Sequence, residues 1–243
     1  MQLVIDIGNT LIKSYVFEKD NLLHSKVDSN QNWNTSLEQL LHSYSGIQKA
    51  IVSDVHKKYS EELDEFLKQI EVSYCSTALK LPFTTQYEPK IQLGSDRIAL
   101  LASCCLFYPN KDVLVIDLGS CITYDWIDSE GVHQGGAISP GFGMRYKSMH
   151  DYSGRLPHLD FKKTNDPVGT STESAINSGV YFGILNEIEG VIAWHENKIK
   201  NLTVILTGGD AERLPKPFKN SIFAHSNFLA KGLNFILALN TFS

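Results

Sequence analysis

The sequence predicts an α/β protein of two similar lobes, each with a mixed sheet flanked by helices. Three observations carry this. A strand–turn–strand opening occurs twice: VIDIGNT at residues 4–10 is matched by VIDLGSC at residues 115–121, with Val, Ile, Asp and Gly aligned at a constant offset of 111. After each opening, short apolar strand runs alternate with segments of helical spacing. Finally, 243 residues with 42% hydrophobic and 20% charged side chains suffice for one large sheet or two lobes.

The elements follow in order. Residues 3–7, 12–18 and 22–27 read as strands. Residues 34–44 carry Leu37, Leu40 and Leu41 at helical spacing, with Asn34 or Thr35 as the N-cap. A strand over 50–55, a helix over 60–70 and a strand over 72–76 follow. Residues 81–94, with Pro82, Pro89 and Gly94, read as a loop, and 97–107 as a buried helix. The pattern then restarts with strands over 113–118, 122–128 and 133–138. A turn-rich SPGFG leads to a helix over 144–150. A long helix over 172–198, a strand over 202–207, a helical turn over 211–214, a strand over 221–224 and a closing helix over 227–239 complete the chain. The restart places the lobes at 1–110 and 111–243.

Composition narrows the function. Twenty-two Lys and Arg against 27 Asp and Glu leave a net charge of −5, which provides no electrostatic footprint for nucleic acid or an anionic membrane. The start, MQLVIDIGNT, reads as a strand and not as a signal peptide. The longest uncharged apolar run, residues 98–108, is too short to span a bilayer. Cys75, Cys104, Cys105 and Cys121 form no C-x-x-C pair, and Cys104 and Cys105 read as small core side chains. The eight histidines contain no i, i+4 pair, which leaves a zinc site without support. A reducing, cytoplasmic compartment is expected.

The two openings also carry chemistry. In DIGNT, Asp6 ends an apolar strand, and ligands of α/β proteins gather at the carboxyl ends of strands. Gly8 permits close backbone approach, Asn9 and Thr10 can donate to a phosphate oxygen, and Lys13 supplies positive charge. Alone, DIGNT is equally a polar hairpin turn whose Asp caps the backbone. Its repetition in DLGSC favours two hairpins that clamp a nucleotide in a crevice between the lobes.

At this point the chain resembles the acetate and sugar kinase, heat-shock cognate and actin superfamily, whose ribonuclease-H-like lobes each offer such a hairpin to ATP. Within it, QYEPKIQLGSDRIAL resembles the tyrosine and G-x-D-R-x-A element of the type III pantothenate kinases. DLGSCITYD is similar to their D-x-G-T-A-x-T-x-D element, and GGAISPGFG to the G-G-x-I-x-P-G that follows. STESAINSG and LTGGDA fit the later elements. The resemblance runs from residue 6 to about residue 210. It implies an ATP-dependent kinase that phosphorylates the primary hydroxyl of pantothenate, the first step of coenzyme A synthesis. The alternatives are a nucleotide-binding transcriptional accessory factor without catalysis, or a related kinase for another small acceptor.

Residue by residue, the resemblance implies that Asp6, Ile7, Gly8, Asn9, Thr10, Leu11, Ile12 and Lys13 embrace the ATP phosphates. Asp6 lies near the divalent metal, Mg2+ or another, and can reach it through water. Ser120, Gly208 and Gly209 touch ATP; Tyr87, Gly94, Ser95, Asp96, Arg97 and Thr172 contact pantothenate, and Asp96 is the catalytic base. Asp117 binds a monovalent cation, K+ or NH4+. Ser120 and Cys121 stand where the family usually has Thr and Ala; serine keeps the hydroxyl. Members are homodimers with a shared substrate site, and the apolar residues of helix 172–194 (Ile176, Val180, Tyr181, Ile184, Leu185, Ile188) extend beyond one stripe, enough to face a partner subunit as well as the core.

The residues allow plainer roles too. A carboxylate that accepts the proton of an attacking alcohol suits Asp96, and the dipole of the helix it opens favours its ionised form. Arg97 can pair with a carboxylate or a phosphate. Equally, Asp96 can be an N-cap, Arg97 a solvated helix side chain, Thr172 a cap, Tyr87 a packing aromatic and LTGGDA a strand-to-helix turn.

Overall fold

The computed structural model describes residues 1–9, 11–29, 33–54, 59–216, 218, 221–225 and 227–241, without the side chains of 60–62. It divides into two compact units. The first takes in residues 1–110, 129–134 and 225–243; the second takes in 111–128 and 135–224.

The first unit is built on β1 (Gln2–Ile7), β2 (Leu11–Glu18), β3 (Asn21–Ser29), β4 (Lys49–Asp54) and β5 (Glu71–Tyr74), ordered β3-β2-β1-β4-β5. β1 pairs antiparallel with β2 and parallel with β4, which is parallel to β5. Central β1 is covered on both faces, which is why Leu3, Val4 and Ile5 form an unbroken apolar run that is fully buried. Helix α1 (Trp33–Ser43) packs Trp33, Leu37 and Leu40 into the core that contains Leu3 and Ile5. Helix α2 (Ser60–Phe66) is shorter than expected: Leu67 leaves helical dihedrals, and the chain turns so that Leu63 and Leu67 are both buried.

Within residues 81–94, two residues form β6 (Thr84–Thr85) and three a 3-10 turn (Lys90–Gln92). Helix α3 (Ser95–Phe107) begins two residues earlier than its apolar pattern and buries Cys104 completely.

The second unit repeats the plan. β7 (Val113–Leu118), β8 (Cys121–Ile127), β9 (Val132–Pro140), β10 (Thr203–Thr207) and β11 (Ser221–Phe223) are ordered β9-β8-β7-β10-β11, and β6 adds a sixth strand at the edge beside β9. β7 is antiparallel to β8 and parallel to β10. Its core includes residues from α4 (Phe142–Tyr152) and α5 (Thr172–Glu196), and a 3-10 turn (Ala211–Arg213) follows β10. Two mixed sheets of equivalent strand order, flanked by helices, give the ribonuclease-H-like pattern twice.

The closing helix α6 (Phe228–Thr241) groups with the first unit, although the sequence reading assigned all of 111–243 to the second lobe. Gly232 explains the grouping, because a Cβ there would press into the Ala99 carbonyl of α3. Ser103 Oγ donates to Phe228 O, and Asn234 Nδ2 donates to Lys19 O at 2.8 Å. The start of β9 also belongs to the first unit, with Thr84 opposite Val132 and Thr85 opposite His133. Among the described residues, no helix is long and apolar enough to cross a membrane.

Candidate active site

In the first unit, the β1–β2 hairpin closes with Ile7 opposite Ile12, and Gly8 N–H donates to Leu11 O at 3.0 Å. Asn9 and Leu11 are exposed at its tip, Ile12 is buried, and Thr10 lies outside the described residues. One step down the ladder, Asp6 stands opposite Lys13, with Lys13 Nζ 3.9 Å from the carboxylate. Asp6 is 8% exposed. Burial pushes its carboxyl up to about 6; Lys13 opposes that shift, the negative charge of Asp96 adds to it, and a hydrogen bond with Ser53 opposes it.

Asp96 occupies the first turn of α3, but it is not the N-cap. That position is Gly94, and Asp96 accepts a hydrogen bond from Arg97 N–H at 2.8 Å. A Cβ on Gly94 would come within 2.5 Å of Asp96 Oδ1, so the glycine makes room for the carboxylate to fold back on the helix start. Ser95 is buried, with its hydroxyl 2.9 Å from that of Ser53. Cys75 donates to Ser95 O at 3.6 Å; burial pushes its thiol up to about 12, with Asp96 and Asp6 adding to the shift, which makes it an unreactive wall.

Arg97 is no solvated helix side chain. It is 4% exposed, and its guanidinium lies 5.0 Å from the centre of the Tyr87 ring. The same ring stacks on His133, with centroids 6.2 Å apart and planes 16° apart. His133 is completely buried, its Nδ1 is 2.8 Å from Thr85 Oγ1, and Tyr87 N–H donates to that same hydroxyl at 3.0 Å. Tyr87, the residue read either as ligand contact or as packing aromatic, thus packs against both a buried arginine and a buried histidine.

The second unit gathers its own set. Its hairpin closes with Leu118 opposite Ile122 and has one residue fewer in the turn than the first. Asp117 stands opposite Thr123, where the first hairpin has Lys13. Gly208, at φ +95°, packs against this strand end: a Cβ would come within 2.5 Å of both Asp117 Oδ1 and the Leu118 carbonyl carbon. Gly209 is exposed beside it, and Asp210 N–H donates to Leu118 O. Gly141, the N-cap of α4, donates from its N–H to Ser120 O at 3.0 Å. Asp117, Ser120, Gly208 and Gly209 are therefore brought to one strand end. Thr172 is exposed in the first turn of α5, and the cap there is Ser171, which forms a capping box with Ser174.

Sequence reasoning missed three positions. Ser53 and His133 are polar side chains within strands, and their patterns give no sign of a role. Glu187 accepts from Tyr124 OH at 2.6 Å, from Ser139 and from Arg145, which also donates from Nε to Pro140 O. Burial pushes the Glu187 carboxyl up, but these donors hold it below the usual carboxylate range. The apolar α5 residues expected to supply a second stripe, from Ile176 to Ile188, are buried within this chain, and Trp194 remains half exposed.

No group of three or more His, Cys, Asp or Glu that could hold a metal occurs among the described residues. Asp6 nonetheless suits a hydrated divalent cation: Mg2+ keeps several waters and takes one or two carboxylates plus phosphate oxygens. A positive ion would also oppose the burial that raises the Asp6 carboxyl.

A sequence model of the type III pantothenate kinases matches residues 2–194. The chain is 44% identical over 240 residues to the type III pantothenate kinase of Christiangramia forsetii, covering 99% of each. It is 41% identical over 234 residues to that of Flavobacterium psychrophilum, covering 96% of this chain and 97% of the relative. Among solved structures, a conserved Campylobacter jejuni protein assigned to the Baf family of transcriptional activators is 26% identical, with a TM-score of 0.66 over 98% of each chain. The activator of 2-hydroxyisocaproyl-CoA dehydratase from Clostridium difficile, solved with bound ADPNP, is 10% identical with a TM-score of 0.57, a likeness of fold. With its G-S-D-R helix start and two Asp-x-Gly hairpins, the chain belongs to the type III pantothenate kinase family.

Proposed function

We propose that the chain transfers the γ-phosphoryl group of ATP to the primary hydroxyl of pantothenate, giving 4'-phosphopantothenate and ADP, the first step of coenzyme A synthesis. Its family is one of ATP-dependent kinases acting on pantothenate, and a divalent metal accompanies the nucleotide. The observation that carries the assignment of roles is the Asp96 carboxylate, folded onto the first turn of α3 next to the buried Arg97 that packs on Tyr87. Asp96 takes the proton of the attacking alcohol as the new O–P bond forms. Tyr87, Gly94, Ser95, Arg97 and Thr172 orient the acceptor, with Arg97 as counter-charge to its carboxylate.

Phosphoryl transfer depends chiefly on position and on neutralised charge. Asp6 and Lys13 serve the phosphates from the first hairpin, together with the backbone of Ile7, Gly8, Asn9, Leu11 and Ile12 and with Thr10. The divalent cation supplies charge neutralisation, and Asp6 is the side chain that would hold it, directly or through water. In the second unit, Ser120, Gly208 and Gly209 contact the nucleotide and Asp117 holds K+ or NH4+. A homodimer with a shared substrate site is part of the same reading; the exposed Ile138, Met144 and Tyr152 of the second unit support it. The charge balance and the absence of long apolar helices among the described residues support a cytoplasmic enzyme with no nucleic-acid or membrane partner.

Pantothenate-dependent release of ADP, measured with and without potassium and against a panel of other small alcohols and carboxylates, tests this reading. Turnover that prefers pantothenate is expected. Nucleotide binding without turnover would favour the regulatory alternative, which the Campylobacter jejuni relative keeps in view.

A further inference from the structure

We propose that Ser53 is a positioning residue for phosphoryl transfer, its hydroxyl tying strand β4, beside Asp6 of the first hairpin, to the start of helix α3, where Asp96 stands. The proposal rests on the kinase reading above.

Ser53 lies in β4, directly beside Asp6 in the parallel β1–β4 ladder. Its neighbours Ala50, Ile51 and Val52 are fully buried apolar side chains, and Ser53 itself is 0% exposed. A hydroxyl in such a place is costly unless it is hydrogen-bonded. Ser53 meets that need by donating to the hydroxyl of Ser95 at 2.9 Å. One hydroxyl has a single proton and can also accept, and its rotor adjusts to its partners. The β1–β4 ladder, which sets Ser53 beside Asp6, and the Ser53–Ser95 bond together connect the end of β1 to the first residue of α3.

The start of α3 has need of such a tie. It follows residues 75–94, a stretch whose only regular structure is the two-residue β6 and a three-residue 3-10 turn. The strand ladder fixes Asp6 relative to Ser53 but does not extend to Ser95. Across that gap, the Ser53–Ser95 bond is the side-chain link, and Cys75 grips the Ser95 carbonyl from another side. Asp96 is the next residue. A base displaced by a fraction of an ångström loses much of its effect, whereas ground-state binding tolerates the shift. The bridge should therefore contribute to turnover more than to affinity.

The test uses S53A, the near-isosteric S53C, S95A and the S53A/S95A double variant in the full chain. Expected for S53A is a fall in kcat of about 10- to 100-fold, with KM for both substrates and calorimetric ADP affinity within about threefold of wild type. S95A should lower kcat at least as far and also raise KM for pantothenate, because Ser95 orients the acceptor as well; the double variant should have the kcat of S95A, because one bridge is broken only once. Hydrogen exchange at the amides of residues 95–98 should accelerate in S53A and S53C. S53C supplies the same readings if S53A does not fold, since the thiol keeps the volume but is a weak donor. Wild-type kcat in S53C or S53A, losses confined to KM for ATP, additive losses in the double variant, or unchanged exchange at residues 95–98 would each overturn the proposal. Failure of the wild-type enzyme to release ADP with pantothenate is a separate result, and it would overturn the kinase reading together with this role.

Discussion

Lys13 faces Asp6 across the β1–β2 ladder at 3.9 Å, yet the Asp6 carboxyl is pushed up to about 6 because burial outweighs the lysine. The lysine head is partly in water, where its attraction is screened, while the carboxylate is enclosed. Asp6 is thus an uncomfortable anion, a state that a cation held beside it would relieve.

A pH dependence follows from that shift. Asp6 titrates near 3.8 when unfolded and near 6 when folded, so the folded state holds its proton more tightly. The stability from this group is fully present below 3.8 and is lost as pH rises through 6. D6N has no such loss. Its unfolding free energy minus that of wild type should grow by about 2 kcal/mol between about pH 4.5 and 7, without ligand. Urea unfolding at several pH values measures the difference; a flat difference would mean that Asp6 is not destabilised by its burial.

The base is tested by D96N, which keeps the side-chain shape and the oxygen that accepts from Arg97 N–H while removing the proton acceptor. Turnover should fall about a hundredfold or more, with pantothenate still bound. Rapid-quench turnover beside calorimetric binding separates the two. Near-normal turnover would leave Asp96 a purely structural role at the helix start.

Much of this site was legible in the sequence because it rests on local signals. A strand of apolar residues ending in Asp-x-Gly specifies where Asp6 and Asp117 stand, and β7 runs over the expected residues 113–118. Gly94-Ser95-Asp96-Arg97 marked a helix start, but which residue caps it was decided by the room that Gly94 leaves for the Asp96 carboxylate. Tertiary events were silent. Nothing local says that Gly232 presses α6 onto Ala99, that Ser53 meets Ser95 across 42 positions, or that His133 stacks under Tyr87. A serine or histidine in an apolar strand and a glutamate within a long helix look like ordinary surface alternation until their partners are known.

Gly208 tests the second unit. Its φ of +95° is unfavourable for any other residue, and a Cβ would collide with Asp117 Oδ1 and the Leu118 backbone. G208A should cost about 1–3 kcal/mol of stability and weaken ADP binding about tenfold or more, because Asp117 and the hairpin backbone must both shift. Thermal melting and calorimetry give the two numbers; unchanged ADP affinity would separate this turn from the nucleotide.

Assembly is tested by sedimentation. A two-fold symmetric dimer at micromolar concentration is expected, with Ile138, Met144 and Tyr152 covered. M144E should shift it toward monomer and lower activity. A fully active wild-type monomer would rule out a shared site.

The last prediction concerns Asp117. The first hairpin sets Lys13 across from its Asp, whereas the second sets Thr123 there, and Gly208 crowds the carboxylate from the neighbouring strand end. If the phosphates bind at this turn, two anionic groups meet, a repulsion of a few kcal/mol at about 4 Å and an effective dielectric near 20. A bound monovalent cation removes that repulsion and stays in place as charge builds during transfer. Potassium or ammonium fits better than sodium, because the smaller ion demands a tighter shell than one carboxylate and a few carbonyls or waters can supply. Activity should rise steeply with potassium or ammonium and stay low in sodium alone, and D117N should flatten that response. Steady-state rates in the chloride salts at constant ionic strength measure it, with tetramethylammonium as the inert reference. Equal rates in sodium, potassium and tetramethylammonium would give Asp117 a role other than holding a cation.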